Sequence, residues 1–344
     1  MKKLFIILAA VCLLWSCNNS INEHDGSQKR GSSGKTLELL VVADQDVYRG
    51  DTKELIDSLF GRPQECLPQP ESMFTIINIP VSSYKNTEMF RTHRNVVLLD
   101  VNPENTGKVY MHIDDYAAPQ VVFDFAMKDR ETLHENLRKY EQVMLRELYK
   151  AEHRRMFKIF NGMQAYEINH KIKDKFGFSL MFPDEYSIAK MDDDFAWVRK
   201  EAKDFGIGVL IDVFPYESRD AFDEQHILDR LDTIMKRQVP ASAPDSYMGI
   251  ERRRDEQGNY LLEIKSRNVD FDSSSYCVET RGCWRTYGDF MGGPFVTYTV
   301  LDPTEKKVVM LTGYVFCPRN KPSTKRDLLM QVESICRTLK FPEK

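Results

Sequence analysis

The residue types best suited to do chemistry gather on one alternating stretch, Tyr276 to Tyr287, where Glu279, Arg281 and Cys283 share one face and Thr280, Gly282 and Trp284 the other. A guanidinium there can read a carboxylate or phosphate through two parallel hydrogen bonds, and an indole can stack on a sugar or an aromatic group. The same pattern also suits an internal Glu279 to Arg281 contact beside a core tryptophan. The strand is therefore a candidate ligand surface with a purely structural alternative. His93, between Arg91 and Arg94, is a second candidate for contacting an anion.

The acids point less clearly. Asp44-Gln45-Asp46 follows a hydrophobic run and is similar to the aspartate loop of haloacid-dehalogenase-type phosphatases, in which paired acids hold magnesium and attack phosphorus. Tyr48 stands where that motif expects Thr or Val, and acids that simply end a strand are the plainer account. Asp192-Asp193-Asp194 lacks the glycine and the twelfth-position glutamate of an EF-hand loop and reads as a solvated hairpin tip. None of the seven histidines stands in a zinc spacing such as HExxH, and there is no Gly-x-Ser-x-Gly elbow. Gly292-Gly293-Pro294 precedes a strand rather than a helix, so it reads as a turn and not a phosphate loop. No catalytic residue, metal ligand or cofactor is assigned. A metal-dependent hydrolase using Asp44, Asp46 and Asp114 remains the competing class.

The N-terminus carries a different chemistry. Met1-Lys2-Lys3 precedes an apolar run from Leu4 to Trp15, then Ser16-Cys17, the order of a signal peptide. That run has 12 residues, against about 20 needed to span a bilayer. Leu14-Trp15-Ser16-Cys17 resembles a bacterial lipobox, with Trp15 in place of the usual small residue. Cleavage before Cys17 and its acylation are expected, leaving several acyl chains that hold the protein to a membrane. Asn18 follows the cysteine where an aspartate would favour inner-membrane retention, so an outer-membrane anchor facing the periplasm is expected. Residues 18 to 35 are rich in Ser, Gly and Asn and read as a tether.

With 48 basic and 52 acidic side chains there is no excess basicity to attract nucleic acid, and Arg252-Arg253-Arg254 is followed at once by Asp255-Glu256. Cys66, Cys277, Cys283, Cys317 and Cys336 remain after Cys17, an odd number, and read as buried thiols, though an oxidising compartment allows disulfides.

The elements that must position these residues fall into two halves. In the first, strands are predicted at Thr36 to Ala43, Met73 to Pro80, Asn95 to Val101, Val109 to Ile113 and Val121 to Met127, with a helix over Asp51 to Phe60. Asp129 caps a long helix whose stripe of Leu133, Leu137, Tyr140, Met144 and Leu148 runs toward a stop at Asn161-Gly162. In the second, strands are predicted at Phe176 to Phe182, Phe195 to Lys200 and Gly206 to Phe214, then a helix from a Ser218 cap to just before Pro240. A meander follows over Tyr260 to Arg267, Tyr276 to Tyr287, Pro294 to Leu301 and Val308 to Phe316, and Ser323 opens a closing helix. The reading is α+β: a signal peptide at 1–16, a lipidated tether at 17–35, an α/β domain at 36–165 and a largely antiparallel domain with flanking helices at 166–344.

Leu67-Pro68-Gln69-Pro70-Glu71, Arg94-Asn95-Val96, Ala118-Pro119-Gln120, Phe195-Ala196-Trp197, Glu279-Thr280-Arg281-Gly282, Trp284 and Met291-Gly292-Gly293-Pro294-Phe295 carry a resemblance. From about Lys35 to the C-terminus the chain resembles an uncharacterised Bacteroidota lipoprotein family known only as a domain of unknown function, DUF4837. The resemblance implies an envelope location and no particular chemistry. Arg94 and Gln120, which stand in these motifs, are candidate ligand-binding residues beside Glu279, Arg281 and Trp284. From Phe176 on, the order of elements is similar to the Mog1/PsbP-like α/β/α sandwich, whose members are mostly binding and assembly factors. The resulting expectation is a non-catalytic module, bound to the membrane by its lipid, that takes an envelope protein or glycan as partner.

Overall fold

The computed structural model describes residues 29–319 and 324–342. The signal peptide, Cys17, most of the tether and Ser323 lie outside the described residues.

The first half forms a five-stranded sheet. Its strands are β1 (Glu38–Val42), β2 (Thr75–Ile79), β3 (Asn95–Val101), β4 (Lys108–Ile113) and β5 (Val121–Met127), in the order β2-β1-β3-β5-β4. All pairings are parallel except that of β4, the antiparallel edge strand. The near-continuous apolar runs of β1, β3 and β5 follow from burial on both faces. Helices α1 (Gln45–Tyr48), α2 (Asp51–Phe60), α3 (Val81–Asn86) and α4 (Glu88–Arg91) fill the connections. The long helix α5 (Arg130–Gly162) begins where the Asp129 carboxylate accepts from the Thr132 amide at 2.7 Å. Its stripe of Leu133, Leu137, Met144 and Leu148 is fully buried.

The second half opens with a helix that the sequence pattern did not suggest, α6 (Tyr166–Phe176), closed by Gly177 in the left-handed conformation at φ 77°. Phe178, Leu180 and Phe182 then alternate inward as expected of a strand, but the segment pairs only through a single bridge from Ser179 to Lys340. An eight-stranded antiparallel sheet follows, built from β6 (Ser187–Met191), β7 (Phe195–Glu201), β8 (Gly206–Pro215), β9 (Tyr247–Ile250), β10 (Lys265–Asn268), β11 (Cys277–Tyr287), β12 (Gly292–Leu301) and β13 (Lys307–Phe316). Its order is β10-β11-β12-β13-β8-β7-β6, with β9 also pairing β11. Helix α7 (Glu224–Gln238) lies on the outer face, and α8 (Lys325–Cys336) on the inner face against β8, β12 and β13. The predicted strand at Tyr260 to Arg267 shortens to β10. Gly292-Gly293-Pro294 starts β12 rather than making the turn itself, and glycine is required because a Cβ on Gly293 would lie 1.9 Å from the Val315 carbonyl oxygen.

The two sheets do not have separate interiors. Helix α5 packs on the first sheet and on α8, so one apolar cluster runs from Leu39 and Val41 through Leu137 and Leu148 to Val332, Ile335, Tyr298 and Val309. Polar contacts cross the same boundary. The Glu71 carboxylate accepts from the backbone amides of Lys325 and Arg326 at 3.2 and 2.9 Å, capping the first turn of α8 with negative charge.

Candidate functional site

The residues singled out on β11 split by face as alternation requires. Glu279 and Arg281 point to the inner face, where both are buried. Arg281 Nε donates to Glu279 Oε1 at 2.8 Å, and its Nη1 donates to Glu333 Oε1 of α8 at 2.7 Å. Glu279 also accepts from Tyr298 Oη at 3.0 Å and from Arg267 Nε at 3.0 Å, and Arg267 reaches Glu65 of the first half at 3.0 Å. Burial alone would raise the Glu279 pKa, but the guanidiniums of Arg281 and Arg267 outweigh it and hold the carboxyl well below its usual range. Burial likewise opposes the charge on Arg281, and Glu279 and Glu333 overcome it. Both ends of the Arg281 guanidinium are engaged inside the protein. The arrangement is an internal charge network that ties β11 to α8 and to the first half.

Trp284 lies on the outer face, 4% exposed, with Nε1 donating to the Val315 carbonyl at 3.1 Å. It lines a cavity of about 400 Å³ together with Pro68, Gln69, Met291 and Gly293. The carboxylate nearest this cavity, Glu251, already accepts from Arg253 at 2.7 Å and pairs with Arg285 at 3.4 Å.

Arg94 and Gln120 come together elsewhere, at the amino-terminal ends of the first sheet's parallel strands. Gln120 is fully buried; its Nε2 donates to the carbonyls of Arg91 and His93, and its Oε1 accepts from the amides of Tyr116 and Ala117. Arg94 Nη1 donates to Glu152 Oε2 at 2.8 Å, and Glu152 Oε1 accepts from Asn95 at 2.8 Å. The one sign of Glu152 in the sequence is its place four residues after Leu148 on the apolar stripe of α5, where a carboxylate is out of pattern. His93 is buried beside Glu38 at 3.5 Å, and desolvation lowers its pKa. These residues support the entry of β1 and β3; His93 Nε2, Arg94 Nε and Arg155 Nη1 have no hydrogen-bond partner among the described residues, but the charges of Arg94 and Arg155 are already paired with Glu152.

The acids of the hydrolase reading are separated. Asp44 follows the carboxyl end of β1, where its Oδ1 accepts from the Val81 amide at 3.0 Å. Asp114 follows β4 at the opposite end of the sheet, beside the start of β5, and pairs with Arg154. The strand registers put about six residues, roughly 20 Å, between their levels. Among the described residues no group of three or more His, Cys, Asp or Glu is placed to hold a metal ion. Asp192, Asp193 and Asp194 sit at the β6–β7 hairpin, and Asp193 accepts from Lys175 at 2.5 Å. Burial pushes the thiols of Cys66 and Cys283 up to about 12, far from the range in which a thiolate attacks.

A further arrangement, in which an unsatisfied polar atom borders an open groove, is one the sequence did not announce. On the outer face, Trp197 of β7 and Lys190 of β6 are directly paired across strands and border a groove of about 530 Å³. The last turn of α7 supplies Lys236, Arg237 and Gln238, and the segment leading into β9 supplies Asp245, Ser246 and Tyr247. Trp197 is fixed by a 2.8 Å hydrogen bond from Nε1 to Tyr314 Oη and by the Arg199 guanidinium, 4.7 Å from its ring centre. Tyr247 stacks on Tyr287 at 5.2 Å, with Lys236 Nζ 5.0 Å from its ring. Gln238 is 6% exposed, and its Oε1 has no hydrogen-bond partner. A buried amide oxygen in that state costs roughly 1–3 kcal/mol, which a donor from a bound molecule would recover. Two aromatic rings, three cations and one open acceptor suit a polyhydroxylated molecule that carries negative charge. The available signals were the position of Trp197 on the face of β7 opposite to Val198, and Lys236-Arg237-Gln238 ending a helix before Pro240. Neither is distinctive without the fold.

Fold and groove together define an α+β protein of two sheets joined through a shared helical layer, with an open groove on the outer face of the second sheet. The chain belongs to the family of the domain of unknown function DUF4837, which matches residues 165–338. Residues 32–161 match a second domain of unknown function, DUF8532. No curated protein matches the chain.

Proposed function

We propose that the protein is a non-catalytic lipoprotein of the bacterial envelope, acylated at Cys17 and held at the outer membrane facing the periplasm, whose C-terminal sheet binds an acidic glycan in the groove between Trp197 and Gln238. The observation that carries this reading is the unpartnered, nine-tenths buried Gln238 amide oxygen set beside an indole and three cations. The sheet with helices on both faces suits the Mog1/PsbP-like assembly and binding factors that the order of elements resembles, and the motif set suits a Bacteroidota origin. A hydrolase is disfavoured because Asp44 and Asp114 stand at opposite ends of the first sheet.

The mature chain contains Trp197 and Trp284 alone, so tryptophan fluorescence reports directly on the groove. Titration with a uronic-acid oligosaccharide should change the Trp197 signal, and Lys236→Ala with Arg237→Ala should raise Kd about tenfold, equivalent to about 1.4 kcal/mol. Equal binding of a neutral cello-oligosaccharide would remove the acidic requirement. No binding of either sugar by calorimetry would end the glycan reading. Metabolic labelling with a fatty-acid analogue tests the anchor separately: label should vanish in Cys17→Ala.

A further inference from the structure

The chain enters its folded body at one place on the first sheet. Lys29 contacts the backbone carbonyls of Asp114 and Asp115, the Arg30 carbonyl accepts from the Ala118 amide at 2.9 Å, and Ser33 Oγ donates to the Met89 carbonyl at 2.8 Å. Around that place the surface is apolar. Met89 is 60% exposed, and Tyr110, Met111, Ile113 and Tyr116 are each between 42 and 48% exposed. Four of these belong to β4 or to the turn after it; alternation puts Tyr110 on one side of the sheet and Met111 and Ile113 on the other, so together they frame the side of the molecule formed by β4, an edge strand with β5 on one side only. Cations stand among them: Arg91 lies 5.9 Å from the Tyr116 ring centre, Lys158 donates to the Ala118 carbonyl at 3.2 Å, and Arg30 pairs with Glu88 on the exposed surface.

We propose that this face rests on the lipid surface that holds the Cys17 acyl chains. The proposal depends on the lipoprotein reading for its occupant, and it is carried by where the described chain starts and how much chain remains. Lys29 is only twelve residues from Cys17, a length that reaches at most about 40 Å when fully extended. Anchoring makes contact between this face and the bilayer intramolecular, so a weak affinity suffices. Tyrosine rings seat at the headgroup level with their hydroxyls in water, and arginine and lysine meet lipid phosphates there. The outer edge of β4 keeps its free backbone groups hydrated at that shallow depth, whereas insertion into hydrocarbon would leave them unsatisfied.

The test separates docking from acylation. The chain from residue 18, carrying a hexahistidine tag in place of Cys17, is bound to phosphatidylethanolamine–phosphatidylglycerol vesicles that contain a nickel-chelating lipid. Amide hydrogen exchange over residues 86–92 and 108–116 should slow at least threefold on the vesicles relative to free protein, with the Trp197 groove unaffected. The combined variant Met111→Ser, Ile113→Ser and Tyr116→Ser should lose that protection while keeping its melting temperature. Unchanged exchange at these segments, or uniform slowing over the whole surface, would overturn the proposal. So would protection that appears without vesicles and grows with protein concentration, since that identifies a second copy as the occupant. Loss of fatty-acid label in the native protein would refute the anchor and leave the vesicle result to judge the surface itself.

Discussion

On the inner face of the C-terminal sheet Arg281 has Glu279 at 2.8 Å and Glu333 at 2.7 Å, whereas in α7, on the outer face of the same sheet, Gln238 Oε1 has no hydrogen-bond partner among the described residues. Both sites are buried to a similar degree, so desolvation does not distinguish them. The difference lies in what covers each face. The inner face is closed by α8, by α5 and by the segment carrying Glu65; α8 brings Glu333 to Arg281, and Glu65 pairs with Arg267. The outer face is covered by α7 only as far as its last turn, and beyond Gln238 the groove is open. Charge on the inner face therefore joins the halves, while the outer face keeps an unsatisfied polar atom beside the groove, as the proposed binding role requires.

The largest expected effect comes from removing the cover. A fragment of residues 165–344 loses α5 and Glu65 and exposes the inner faces of α8 and the sheet, so it should show no cooperative thermal transition under conditions where residues 29–344 melt as one unit. A sharp, independent transition in calorimetry would show that the inner face needs no cover and would break the comparison.

Next is the network itself. Arg281→Met should destabilise the protein by roughly 3–5 kcal/mol in urea titration, because Glu279 and Glu333 are left charged and buried. Adding Glu279→Gln and Glu333→Gln to that variant should restore much of the loss. A neutral Arg281→Met with weakened glycan capture would instead return Arg281 to the role of ligand residue.

Acid should act on the inner side in two windows. His153 of α5 is buried with Nδ1 2.8 Å from Ser334 Oγ, and burial lowers its pKa well below the ordinary 6.5. The unfolded chain therefore binds a proton that the folded one excludes, and stability is complete above pH 6.5 and falls below it by about 1.4 kcal/mol per pH unit. Glu279 acts lower: its folded pKa is depressed, so its contribution is present above its ordinary 4.5 and is lost as pH falls further. Melting temperatures between pH 8 and 4 should show the first decline near pH 6.5, and His153→Gln should reduce it.

The smallest effect belongs to the outer face. Gln238→Met removes an acceptor that no protein group satisfies, so stability should change by under about 1 kcal/mol or improve, while the affinity for the acidic oligosaccharide falls. A loss comparable with that of Arg281→Met would mean that Gln238 is structural and that the contrast between the faces is false.

Much of the fold was legible because local pattern and burial agree. The apolar run at β1, the turn signals that bound β4, the Asp129 cap and the stripe of α5 are local signals, and the elements appear where those signals put them. The misreadings fall where pattern is short or shared. Tyr166–Phe176 has only eleven residues with few apolar ones, and Phe178, Leu180 and Phe182 alternate like a strand yet find only one bridge. The candidate residues fared differently again. Placing Glu279 and Arg281 on one face of β11 needed only the period of a strand. Whether that face meets water or a helix depends on α8, which joins the chain over 40 residues later.

The sequence by itself determined the longer, strongly patterned elements, the faces of their strands and the α+β division, because hydrophobic periods of two and 3.6 act over a few residues and need no distant partner. Tertiary structure alone decided which polar groups are satisfied. Glu333 reaches Arg281 from 52 positions away, Glu152 reaches Arg94 from 58, and none of the described residues donates to Gln238 Oε1. Hydrogen bonds between side chains depend on contacts of a few ångströms between segments far apart in sequence, and a linear pattern holds no record of those distances.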